Sequence, residues 1–164
     1  MFSLLTGTAE FGISSIQEES MRISKLGNND VDVVHQFGSQ EQMFTLKSSA
    51  PVFWTKEQLA RWFHSADGVC LGAFTDDQLV GFVLATFHAP TGKATWENLF
   101  VAPSARRQNV GLSLGVQLIT DLHALGTFHI MSLVDLKNKS TQRLHQRLGF
   151  QNHGTYLWLG RTTL

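Results

Sequence analysis

The 164 residues, 43% apolar and 16% charged, suit one globular domain and exclude both a two-domain chain and a disordered tail. No run of about 18 apolar residues is present to span a membrane as a helix, and the first residues lack the basic start and apolar core of a secretory signal, so a cytoplasmic site is the expectation. A lone cysteine, Cys70, excludes an internal disulfide or a CxxC zinc site, while 13 Lys+Arg against 13 Asp+Glu remove any overall attraction to nucleic acid or an anionic membrane.

Residues 1–20 are weakly patterned and read as an N-terminal extension. Met21 opens the domain, 21–164, with the alternating MRISKL of an edge strand. Asn28, Asn29 and Asp30 offer N-caps to an amphipathic helix VDVVHQF, and Thr55 does so for KEQLARWF, where Glu57 and Arg61 stand at i,i+4. GVCLGAF and LVGFVLATFH flank the turn formers Thr75, Asp76 and Asp77, a hairpin signal; a second turn at Pro90 to Gly92 leads to the strand KATWENLFV, and antiparallel pairing of the three follows. After Pro103 the period becomes 3.6, with Leu114, Leu118, Leu122 and Leu125 on one face of a helix of about four turns that Gly126 stops. FHIMSLV reads as a buried strand, 140–148 as a helix closed by Gly149, and TYLWLG as a last short strand. A meander followed by strand, helix, strand and helix gives an α+β, mixed α/β architecture.

The segment ENLFVAPSARRQNVGLSLGVQLI carries a strand into a donor-rich loop and then into the long helix. Unpaired N–H groups at a helix start, with the helix dipole, suit phosphate, and Arg106 and Arg107 add charge. This segment resembles the acyl-CoA-binding motif of the GNAT superfamily of N-acetyltransferases, R-x-x-G-x-G after V-x-P, with Val101, Pro103, Arg106 and Gly111 in register. Asn109 replaces the first glycine; asparagine is among the few other residues that tolerate the left-handed region, so the loop shape survives the change. NKSTQRLHQRLGF resembles the second GNAT signature, an Asn before a helix A-x-x-(L/F)-Y-x-x-x-G-F. Asn138, Leu144, Gly149 and Phe150 fit, while Thr141 and His145 replace the usual Ala and Tyr.

The resemblance, which covers about 21–164, implies a central, mixed, mostly antiparallel twisted sheet flanked by helices, with acetyl-CoA as co-substrate and no metal. It places the CoA pyrophosphate on the amides of Arg107, Gln108, Asn109, Val110, Gly111 and Leu112. The pantetheine arm lies along the backbone of Leu99, Phe100 and Val101, and Asn138 is a further cofactor contact. Direct attack by an amine on the thioester needs a base, an oxyanion donor and an acid. Glu97 stands where similar enzymes often carry the base, and His145 where they carry the tyrosine that protonates the thiolate. Tyr156, the one tyrosine, is a second candidate acid. Without that tyrosine at 145, a CoA-binding sensor or interaction module that keeps the fold without catalysis is the other reading.

The remaining histidines, His35, His64, His88, His123, His129 and His153, show no metal-ligand spacing such as HExxH. Trp54, Trp62, Trp96 and Trp158 read as core or pocket wall, and Cys70 as a small buried apolar residue. Residues 1–100 hold 6 basic and 11 acidic side chains, a balance of −5, and residues 101–164 hold 7 and 2, a balance of +5. An anionic cofactor therefore belongs to the C-terminal half, and the acidic half leans towards a small cationic amine, with a peptide amine also open as acceptor. A homodimer is among the assemblies open to the chain.

Overall fold

The computed structural model describes residues 21–41, 44 and 53–155. Five strands, β1 (Arg22–Lys25), β2 (Gly68–Thr75), β3 (Gln78–His88), β4 (Lys93–Val101) and β5 (His129–Ser132), lie in that order in one sheet. The first four are antiparallel neighbours, and β5 joins β4 in parallel. Helices α1 (Val31–Gln40) and α2 (Lys56–Phe63) cover one face; α3 (Val110–Ala124) and α4 (Lys139–Arg147) belong to the other.

Local sequence accounts for most of these elements. Asp76 and Asp77 take φ of +49° and +59° between the paired Thr75 and Gln78. Two left-handed residues in a two-residue loop make the turn whose twist matches the flanking strands. Thr55 Oγ accepts the Gln58 N–H at 3.3 Å and Gln58 Oε1 accepts the Thr55 N–H at 2.8 Å, a capping box of the kind that stabilises a helix start by about 1 kcal/mol. Gly126 and Gly149, at φ of +90° and +86°, end α3 and α4 as read from the sequence. Asp30 is the N-cap of α1, but its carboxylate accepts the Gly27 N–H at 2.8 Å and not an amide of the helix, because residues 28–30 already turn as a 3-10 helix that runs into α1.

Alternation along β3 builds two cores. Val83 and Ala85 meet Leu114, Leu118 and Leu122 of α3, while Phe82 and Leu84 meet Val34 of α1 and Leu59 of α2. All of these are fully enclosed. On the α1–α2 face Phe37, Phe100 and Phe82 stack in series at 4.9 and 5.5 Å between centroids.

Two sequence expectations are corrected. Leu125 does not continue the buried face of α3; it is the C-cap residue at the end of the helix, beyond the packed core, and is exposed. FHIMSLV is not a buried strand, since β5 spans four residues, pairs among the described residues only with 93–96 of β4, and leaves Phe128 75% and Leu133 60% exposed. A short parallel strand at the edge of the described sheet shields only the residues directly beside its neighbour. The expected strand TYLWLG lies outside the described residues, apart from Thr155.

Candidate active site

Pairing between β4 and β5 ends at Trp96 and Ser132. Beyond that point β4 runs on to Val101, so residues 97–101 border an opening between the two strands. The register between β3 and β4 shifts at the same place: Ala85 faces Trp96, Leu84 faces Asn98, and Glu97 is the extra, unmatched residue of a bulge. A bulge re-aims a side chain and bends its strand. Glu97 as a whole residue is exposed, has no hydrogen-bond partner among the described residues, and has its pKa raised above the ordinary carboxylate value by partial desolvation of its carboxyl.

The loop at the end of β4 is braced by its own side chains. Arg106 Nε donates to the Val101 carbonyl at 3.0 Å, Arg106 Nη2 reaches the Glu41 carboxylate at 3.5 Å, and Gln108 Nε2 donates to the Ser104 carbonyl at 3.1 Å. Arg106 thus positions the loop, and Arg107 is its exposed cation. Asn109 takes φ +62°, the left-handed conformation read from the sequence, and Arg107 takes +66°, which the sequence did not announce. A left-handed arginine costs about 1–2 kcal/mol relative to right-handed backbone.

Asn109 is the N-cap of α3, yet its side chain caps no amide, so the first-turn N–H groups of Val110, Gly111 and Leu112 face the opening's end without a side-chain partner. A methyl group built on Gly111 would meet nothing closer than Leu144 Cδ2 at 3.5 Å, ordinary contact. Packing inside the chain therefore does not require a glycine at this position. Val110 itself is buried in the α3 core.

Helix α4 closes the same face. Asn138 caps it, its Oδ1 accepting from the Thr141 N–H at 3.1 Å and the Ser140 hydroxyl at 2.9 Å, which leaves Nδ2 for a ligand. His145 is 7% exposed and lies against Trp96 at 4.8 Å and Phe150 at 4.7 Å between centroids. Its Nδ1 sits 3.0 Å from the Thr141 carbonyl, which only accepts, so Nδ1 carries the proton. Burial lowers its pKa below the ordinary 6.5, against the opposing pull of that carbonyl, and the ring is neutral at pH 7. Nε2 is then a buried acceptor with no partner among the described residues. Donation from Nε2 requires a second proton on the ring.

Tyr156 lies outside the described residues. Cys70 is buried, its thiol pushed up to about 12 by desolvation. No three His, Cys, Asp or Glu side chains gather to hold a metal among the described residues, and no described helix is long and apolar enough to cross a membrane.

Sequence reasoning missed the parts that hold the site in shape. Gly115 lets α3 and α4 approach: a methyl there would lie 3.0 Å from Trp96, and Leu148 would also have to move. Trp54 donates its indole N–H to Asn98 Oδ1 at 2.8 Å, joining the segment before α2 to the residue after Glu97. A glycine inside a strong helical pattern was the available signal for the first; nothing local announces the second.

The mixed sheet thus opens between β4 and β5, with a donor-rich helix start at the end of the opening. The chain belongs to the acetyltransferase (GNAT) family, whose model matches residues 40–150. It is similar to the mycothiol acetyltransferase of Renibacterium salmoninarum, 34% identical over 94 residues, covering 55% of this chain and 28% of that protein. The chain thus spans less than a third of the length of that relative. Its fold is similar to the PaiA N-acetyltransferase of Thermoplasma acidophilum in complex with coenzyme A, with a TM-score of 0.73 at 21% identity over 84% of this chain and 93% of the other. It is also similar to the aminoglycoside 6'-N-acetyltransferase of Acinetobacter baumannii, with a TM-score of 0.68 at 18% identity over 88% and 99% of the two chains.

Proposed function

We propose that this chain transfers an acetyl group from acetyl-CoA to a primary amine by direct attack in a ternary complex. The observation that carries the reading is the coincidence at one place of three features: the end of β4–β5 pairing at Trp96, the bulge at Glu97, and, across the loop 102–109 from the end of β4, a start of α3 that no N-cap side chain satisfies. Amides 107–112 take the pyrophosphate, with Gly111 leaving it room. The backbone of Leu99, Phe100 and Val101 takes the pantetheine arm and offers a donor to the thioester oxygen, and Asn138 Nδ2 adds a contact from α4. Acetyl-CoA supplies the activated acyl group.

The chain's own residues then move two protons. Glu97 takes one from the acceptor ammonium, and the desolvation that raises its pKa makes it a stronger base than an ordinary carboxylate. His145, neutral at rest with its proton on Nδ1, gives one from Nε2 to the departing sulfur only after taking up a second proton, so this step is favoured as pH falls. The acceptor is a small amine, the class to which the aminoglycosides named for one structural relative belong. Release of thiol from acetyl-CoA, measured over a panel of amines beside thermal shifts with CoA, tests the reading. Turnover on any amine is expected; a CoA shift with no turnover on a broad panel overturns it in favour of a CoA-binding module.

A further inference from the structure

The cofactor side of the site lies on the α3–α4 face, so an attacking amine has to reach the thioester from elsewhere. The bulge marks where β4 crosses over: Trp96 belongs to the α3 core, and Asn98, opposite Leu84, faces the α1–α2 side. Asn98 is held there by Trp54. Trp54 also lines an open cavity of about 380 Å³ between α2, the turn after it and Thr86 of β3, within the range of small-ligand sites.

Its lining is specific. Trp54 and Trp62 meet edge to face, centroids 5.0 Å apart at 71°, and form an aromatic corner. The other lining residues, Gln58, Arg61, Ser65, Asp67 and Thr86, are all polar. Gln58 Oε1 is committed to the Thr55 N–H and Ser65 Oγ to the Asp67 N–H, which leaves mostly donors and one carboxylate. One guanidinium and one carboxylate cancel, so a polycation gains no net attraction. An apolar wall with a rim of alternating donors and an acceptor matches a ring that has a C–H face and several hydroxyls.

Resting on the acetyl-transfer reading for its catalytic meaning, we propose that this cavity is the acceptor subsite and takes an amine carried on a polyhydroxylated six-membered ring, an amino sugar, in preference to a polyamine or a plain alkylamine. Trp62 supplies the stacking wall, Asp67 and Arg61 bind ring hydroxyls, and the amine points across Asn98 towards Glu97.

Glucosamine, spermidine and propylamine are the probes. Saturation-transfer NMR on the full chain with CoA present is expected to light the ring C–H protons of glucosamine and not spermidine. The signal should fall about tenfold in Trp62→Leu and in Asp67→Asn, as loss of a stacking or hydrogen-bonding partner implies. In thiol release, glucosamine should exceed spermidine in kcat/KM by about tenfold, and Asp67→Asn should raise its KM with little change in kcat. Retention of the CoA thermal shift verifies that each variant is folded; if Trp62→Leu is not, the exposed Asp67 carries the test. Absence of glucosamine binding, signal unchanged in the folded variants, or equal use of spermidine overturns the subsite. Binding of glucosamine without thiol release upholds the subsite and overturns acetyl transfer instead.

Discussion

At the scale of single residues, protonation states are set by what surrounds each group. Glu97 is a carboxylate whose pKa is raised by burial alone, so it loses its proton only above the ordinary carboxylate range. Activity that depends on its charged form should fall as pH drops through that raised value. Glu97→Gln is expected to lose that acid limb, keep CoA affinity, and lower kcat by about 10²–10⁴ at neutral pH, with the deficit shrinking where the acceptor is already a free amine. A deficit constant with pH would assign Glu97 to positioning. His145 makes the opposite kind of prediction. Its folded pKa lies below the ordinary 6.5, so as pH falls below that value the unfolded chain takes up a proton that the folded chain resists, and stability is lost. His145→Phe removes this slope and an orphaned buried acceptor whose burial costs about 1–3 kcal/mol. The variant should melt no lower than the native chain at pH 7 and higher at pH 5.5, while its kcat drops about tenfold or more if the ring is the acid. Calorimetric melting and thiol release separate the two effects, and full activity in this variant would remove the acid role.

At the scale of elements, two glycines of α3 differ in what they answer to. Gly111 has ordinary van der Waals room for a methyl group, whereas Gly115 is pressed by Trp96 and by Leu148 of the α4 end. Gly111→Ala should therefore be neutral or stabilising by up to about 1 kcal/mol through helix propensity, and Gly115→Val destabilising by about 1–3 kcal/mol through overpacking. Ligand binding reverses the ranking. At about 100-fold excess over Kd, CoA should stabilise the native fold by roughly 2.7 kcal/mol. Gly111→Glu should abolish that shift by placing bulk and charge at the proposed pyrophosphate position, and Gly115→Val should retain it. A normal CoA shift in Gly111→Glu would put the phosphate elsewhere.

At the scale of the whole molecule, charge is separated along the chain and then partly recombined by folding. The C-terminal half carries +5, but Arg106 of that half is tied to Glu41 of the acidic half at 3.5 Å. Arg107, exposed and without an ion pair among the described residues, is the loop cation proposed to act on CoA. CoA affinity should weaken several-fold as salt rises to about 1 M, where the screening length is about 3 Å. Arg107→Gly, which also relieves the left-handed strain, should flatten that dependence while raising the melting temperature. Titration calorimetry at two salt concentrations decides it, and an unaltered salt dependence in the variant would leave Arg107 outside the phosphate site.

What the sequence by itself determined is local. The two-aspartate turn, the Thr55 capping box, the glycine stops of α3 and α4, and the left-handed Asn109 were legible because each depends on a few adjacent residues and their backbone preferences. The two spaced signatures likewise identified the family. Tertiary structure alone decided the exposure of β5, the bulge that singles out Glu97, the enclosure of His145 between Trp96 and Phe150, and the Trp54–Asn98 bond beside the cavity. Each of these joins residues far apart in the chain or depends on which neighbour a strand finds. Hydrophobic pattern specifies that a face is buried, but not against what, nor where two paired strands part.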